Sequence, residues 1–120
     1  MGLKPRKKPA AGNPRDALRA FAFALPEAYE DDPWGESVAK VRKKVFVFFG
    51  VSDQFGMCVK LPESAAGVLA MPFAEPAGYG LGKSGWVVIK WSPDLPVELM
   101  ESWILESYRA VAPRTLAAQL

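Results

Sequence analysis

Gly78-Tyr79-Gly80-Leu81-Gly82-Lys83-Ser84-Gly85-Trp86-Val87-Val88-Ile89-Lys90-Trp91 is the stretch that decides the fold. Four glycines interrupt it up to residue 85, and a strand-like run follows without a break. Glycine reaches φ > 0 without steric penalty, so residues 80–85 read as a tight, mobile turn with Lys83 at the tip. From Trp86 onward the residues alternate. Val87, Ile89 and Trp91 take one face and Trp86, Val88 and Lys90 the other, the period of a half-buried strand. A hairpin with a positive charge at its end has a shape that reaches into a groove.

The flanking sequence supplies partners for this strand. Val38 to Phe49 reads as a second hairpin with its turn at Arg42-Lys43 or one residue later. The first register is preferred because it keeps the large aromatics together, and a slip of one residue would invert the faces. Unbroken alternation sets Ala39, Val41, Phe46 and Phe48 on one face, and Lys40, Val45 and Val47 on the other. A short extended segment over residues 28–31 precedes it. Gly56 to Leu61 is a further strand, with Met57, Val59 and Leu61 inward and Cys58 and Lys60 outward. Residues 62–71 form a short helix weakened by Gly67.

Helices close both ends. Asn13 is the expected N-cap, with Pro14 at the first helical position, and Leu18, Phe21, Ala22 and Leu25 share one face until Pro26 stops the helix. Asp94 and Pro96 open a final helix with the stripe Leu99, Met100, Trp103, Ile104, Ser107, Tyr108 and Val111, and Pro113 ends it before a short tail. Strands joined by short turns, with helices at the chain ends, predict an α+β fold: an antiparallel sheet covered on one face by the N- and C-terminal helices. The other sheet face then displays Lys40, Lys60 and Lys90 beside Trp86, with Val45, Val47 and Val88 between them.

A chain of 120 residues, half of them hydrophobic, suits one domain with a real core. A domain over residues 13–120 is expected, after a disordered basic tail over residues 1–12. No apolar run approaches the roughly 20 residues of a membrane helix, and no signal peptide is recognisable, so a cytoplasmic protein without membrane contact is expected. The chain has no histidine and one cysteine, Cys58. Histidine-dependent hydrolysis, histidine-ligated zinc, thiolate metal sites and an internal disulfide are thereby excluded within one chain. No catalytic constellation, metal site or cofactor is expected.

Charge is segregated along the sequence. Lys4, Arg6, Lys7 and Lys8 stand in the tail, leaving 11 bases against 13 acids in the body. Residues 38–91 hold seven bases and three acids, whereas Glu27, Glu30, Asp31, Asp32 and Glu36 form an acidic run without a base. Carboxylates suit hard cations, but these five lack the spacing of a loop chelate.

The order of these segments resembles the MmcQ/YjbR family, small bacterial proteins with a fold similar to CyaY and frataxin. The resemblance covers nearly all of Arg15 to Leu116. Its marks are residues 24–28 (Ala-Leu-Pro-Glu-Ala), Pro33-Trp34-Gly35, the basic segment 40–46, Val59-Lys60-Leu61, Gly78-Tyr79 followed by Lys83 and Trp86, and Glu106-Ser107-Tyr108. The family pattern usually has two glycines where this chain has Arg42-Lys43, an aromatic at Ala39 and often a histidine at Gly85. The first departure makes this hairpin tip more basic. The resemblance implies the α+β sheet-and-helix fold, and DNA binding through a "double wing" of two hairpins.

The candidate nucleic-acid contacts are therefore Arg42, Lys43 and Lys44 on one tip, Lys83 on the other, and Lys60, Trp86 and Lys90 on the exposed sheet face. Basic tips neutralise phosphates, and a tryptophan between lysines offers a base a stacking surface. The same lysines also serve to keep strand edges from pairing, and the same tryptophan serves to pack. The alternative function is a protein-interaction or chaperone-like domain, using the sheet face for a protein partner or for self-association.

Overall fold

The computed structural model describes residues 14–32, 35–50, 56–78, 81–91 and 95–120. The expected tail over residues 1–12, the Asn13 cap, the Pro33-Trp34 turn, Tyr79 and Asp94 lie outside them. In chain order the elements are α1 (Arg15–Phe23), β1 (Tyr29–Asp31), β2 (Ser37–Val41), β3 (Lys44–Gly50), β4 (Gly56–Lys60), α2 (Ala65–Leu69), β5 (Ala74–Pro76), a 3-10 turn (Leu81–Ser84), β6 (Trp86–Lys90), α3 (Val97–Val111) and α4 (Arg114–Ala117). The described strands form one antiparallel sheet in the order β1-β2-β3-β4-β6-β5. The α+β fold expected from the sequence is the fold found.

The β2–β3 hairpin turns at Arg42-Lys43, as the sequence predicts, with φ of 51° and 68°. Two successive positive φ values define the type I′ turn, whose twist matches that of the strands it joins. Beyond the turn the simple alternation fails. Lys40 faces Val45 but Ala39 faces Val47, and Val38 faces Phe48 but Ser37 faces Gly50. Phe46 and Phe49 are thus extra residues, each making a β-bulge, and both are fully buried. The bulges correct the predicted faces: Val47 points inward and Phe48 outward.

Directly opposed residues share a sheet face. Ala39, Val47, Val59 and Val87 form one inner row, and Met57 with Ile89 another. All six are buried in the core. The stripe of α3 covers them with Met100, Trp103, Ile104, Ser107 and Tyr108, at helical spacing and all buried. Leu18 and Ala22 of α1 join the same core, one turn apart. The short tail expected after Pro113 is instead the helical turn α4, which buries Leu116. The outer row runs Val38, Phe48, Cys58 and Val88, with Trp86 edge-on to Phe48 at 5.5 Å.

Three consecutive residues of α3 join it to the rest. The Ser107 hydroxyl donates to the Phe46 carbonyl at 2.6 Å and accepts from the Lys60 amide at 2.8 Å. Continuing the register from Val47–Val59 would bring Phe46 and Lys60 face to face, so the hydroxyl stands where a ladder bond between β3 and β4 would run. Glu106 accepts the amides of Glu63 and Ser64 at 2.9 and 3.0 Å, satisfying donors ahead of α2. The Tyr108 hydroxyl donates to the Pro26 carbonyl at 2.8 Å, and its ring meets Phe46 edge-on at 5.2 Å.

On the other flank, Arg19 of α1 reaches both the Ser37 hydroxyl and the Glu30 carboxylate. Ser37 in turn donates to Glu30 at 2.7 Å. The Ser37 hydroxyl, followed by Arg19, holds the Glu30 carboxyl below the usual carboxylate range.

Ser107→Ala leaves a buried N–H and a buried C=O without their partner, and is expected to destabilise the protein by about 2–4 kcal/mol in urea unfolding. Ser102→Ala, on the exposed side of α3, is the control and should stay within about 0.5 kcal/mol. A depressed carboxylate contributes stability above its unfolded pKa and loses it as pH falls through the folded value. The stability advantage of the parent over Glu30→Gln should therefore be widest near neutrality, and shrink as pH drops below about 4.3. A constant gap across that range would refute the Glu30 contribution.

Candidate nucleic-acid interface

Three strand ends meet at one end of the sheet: the start of β3, the end of β4 and the start of β6. Continuing the register, Lys60 stands level with Phe46 and opposite Trp86, while Lys44 lies two residues, about 7 Å, further along β3, opposite the inward-facing Val41 of β2. Lys60 and Trp86 are cross-strand partners. Lys43 sits on the turn that overhangs the end of β4. The β5–β6 connection closes over the same end and carries Lys83. Lys43, Lys44, Lys60 and Lys83 make no ion pair among the described residues.

The remaining basic candidates differ. Arg42 forks onto Glu27, with Nε and Nη2 donating to the two carboxylate oxygens at 2.7 and 3.2 Å. That contact holds the Glu27 carboxyl below its usual range. Lys90 lies at the far end of β6 and pairs with Glu75 on β5 at 3.2 Å. Four residues of strand put it about 13 Å from Trp86, away from the other candidates. Lys40 pairs with Asp31 across β1 and β2 at 2.8 Å. The sheet face is therefore less basic than the sequence of residues 38–91 suggests, because β1 and β5 bring acids to both its edges.

The second tip also departs from the expected projecting ribbon. The Leu81 amide donates to Gly78, Gly82 to Ala77, and Gly85 to Gly82, folding the connection into a compact 3-10 turn. The Leu61 amide donates to the Gly85 carbonyl at 2.8 Å, tying the turn to the end of β4. A Cβ on Gly82 would stand 3.0 Å from the Pro76 Cβ and 3.1 Å from the Ala77 carbonyl oxygen, so the close fold requires glycine.

Trp86 is half-buried against Phe48 across the outer face of β4, with one edge left to solvent. The pair shields Cys58, and burial, with a smaller effect from Glu36, pushes its thiol up to about 11. A thiol held protonated is a poor nucleophile. Among the described residues no group of three or more His, Cys, Asp and Glu is placed to hold a metal ion. Of the acidic run, Glu27, Glu30 and Asp31 are engaged by Arg42, Arg19 and Lys40. No described helix is long and apolar enough to cross a membrane.

Comparison with known proteins places this geometry. The YjbR family model matches residues 23–110. Among solved structures, the Deinococcus radiodurans protein DR2400, with a DUF419 domain, is similar at a TM-score of 0.72 and 24% identity, over 87% of this chain and 85% of that one. A protein from Pseudomonas syringae is similar at a TM-score of 0.65 and 18% identity, over 82% of this chain and 98% of that one. No curated protein matches the chain. At these identities the likeness to the two structures is one of fold.

The turn itself carries a measurable strain. A non-glycine residue in the left-handed region is disfavoured by roughly 1–2 kcal/mol, part of which glycine returns through its looser unfolded chain. Lys43→Gly is thus expected to raise stability by about 0.5–1 kcal/mol, read as a higher urea midpoint at unchanged m. A lower midpoint would mean that the Lys43 side chain stabilises the fold by more than its backbone conformation costs.

Proposed function

The chain belongs to the YjbR family, and on that footing we propose that it binds nucleic acid, gripping DNA phosphates with the basic end of the sheet. The observation that carries this reading is the gathering of Lys43, Lys44, Lys60 and Lys83 at one sheet end, without acid partners among the described residues. Lys40 and Lys90 elsewhere on the sheet, and Arg42 on the turn beside Lys43, are matched by acids. Unmatched lysines spread over adjacent strand ends suit a row of phosphates, whose contacts fix position without reading sequence.

Two further features support it. Arg42 and Lys43 hold a type I′ turn that glycine would hold with less strain. Trp86, partly exposed and paired across the strands with Lys60, is an aromatic ring beside a cation on which an unpaired base could stack. The reading is one of binding, with no catalytic step. The competing reading, a protein partner or second copy on the outer face, is favoured by the partly exposed Phe48, Cys58 and Val88.

Salt separates the two. Replacing Lys43, Lys44, Lys60 and Lys83 together by Ala should weaken duplex binding for all sequences alike. The log–log salt slope should flatten by about 0.9 for each phosphate that is no longer neutralised. Deletion of residues 1–12 is the necessary control, since that segment carries four bases of its own. Binding that survives the lysine replacements but vanishes with the deletion would assign DNA recognition to the N-terminal arm. Absence of DNA binding, together with salt-insensitive self-association, would favour the outer face.

A further inference from the structure

Arg42 is the arginine of the basic sheet end, and its guanidinium is already occupied. The fork on Glu27, at 2.7 and 3.2 Å, is the bidentate arrangement in which a guanidinium also takes two oxygens of a phosphate. The Arg42 and Glu27 side chains are 52% and 51% exposed, so an anion can approach the fork from water. Ion pairs exposed to water contribute modestly, with bidentate forks at the upper end of the range, a strength that a competing phosphate can match.

The backbone on both sides is held independently of the pair. Glu27 follows Pro26, whose carbonyl accepts the Tyr108 hydroxyl at 2.8 Å. Arg42 stands on a turn fixed by the β2–β3 ladder. Both residues are at positive φ, 58° and 51°, which brings two loops on different elements to one point. Exchanging Glu27 for another anion therefore needs only side-chain rotation. The next two residues after Arg42 are the unmatched Lys43 and Lys44, so a phosphate held by them lies within reach of the fork.

We infer that Glu27 is an internal competitor for phosphate: it occupies the Arg42 guanidinium in the free protein and thereby sets how tightly the sheet end holds a phosphodiester. Arg42 is a latent phosphate ligand, available only when Glu27 lets go. This inference rests on the nucleic-acid reading above, and gives Glu27 control of affinity for phosphate without any reading of sequence. The carboxylate mimics the ligand in charge and in its pair of oxygens.

The test is a double-mutant cycle on the 120-residue chain with a short fluorescein-labelled DNA duplex, read by anisotropy at two salt concentrations. Glu27→Gln should bind about three- to fivefold tighter than the parent, the size of one released exposed ion pair. Its salt slope should steepen by about 0.9, the signature of one more neutralised phosphate. Arg42→Ala should change the parent less than about twofold, yet cancel the gain when combined with Glu27→Gln. Glu27→Asp keeps the charge but shortens the reach to the fork, and should behave like Glu27→Gln. A gain from Glu27→Gln that persists without Arg42 would reduce the effect to general charge repulsion and overturn the inference. So would equal affinity of parent and Glu27→Gln. If neither protein binds duplex at low salt, the nucleic-acid reading itself fails and takes this inference with it. Thermal melts of all variants confirm that each compares folded protein.

Discussion

One hydroxyl group fixes how α3 sits on the sheet. The bulge at Phe46 turns an extra aromatic side chain into the core. The Phe46 carbonyl and the Lys60 amide then meet on Ser107 instead of on each other. Both groups are taken from water, and leaving either unpaired would forfeit much of the stability that burying Phe46 provides. Ser107 satisfies both at once, and so sets the position and rotation of α3 against β3 and β4. Glu106 and Tyr108 follow from that rotation. Successive helix residues point about 100° apart, so one neighbour reaches the amides before α2 while the other reaches Pro26. The Glu106-Ser107-Tyr108 triplet is therefore a structural junction, and its chemistry is spent on the fold.

Because Tyr108 holds Pro26, the acidic segment that follows lies along β2. A charge pattern that is segregated in sequence becomes locally balanced in space. Asp31 meets Lys40 across one sheet edge and Glu75 meets Lys90 across the other. Exposed pairs like these add little stability. Their larger effect is on the field of the protein, since they cancel the charge of the sheet face and leave the unmatched lysines at one end. A positive patch bordered by neutral surface steers a polyanion better than the same charges spread evenly.

The strands and helices were legible in the sequence because their signals are local. Alternation from Trp86 to Trp91, the stripe of α3 and the proline-bounded α1 each survive in the structure. The faces of Val47 and Phe48 were not legible, because a bulge is decided by what packs across it. Nothing near Phe46 in sequence announces that Ser107, 61 residues later, will take its carbonyl. The three-residue β5 is too short to show a period, and it exists through its pairing with β6. At the candidate site the turn lysines were readable from the hairpin signal. The occupation of Arg42 and Lys90 was not, because their acid partners lie on different strands or loops and only the sheet order brings them close.

The Arg42-Lys43 turn is where the demands of folding and those of the proposed binding part. A type I′ turn asks for residues that tolerate positive φ, and Arg-Lys is a poor answer to that demand alone. Glu27 compensates in part, since its carboxylate neutralises one of the two charges crowded at the tip and ties the turn to the loop after α1. The same ion pair withholds the arginine from any ligand. A local arrangement that is strained, charged and internally satisfied is harder to explain as architecture than as a binding group held in reserve. Residues that break a local rule are expected where function outweighs stability. In this chain the clearest such break coincides with the end of the sheet where the unmatched lysines collect.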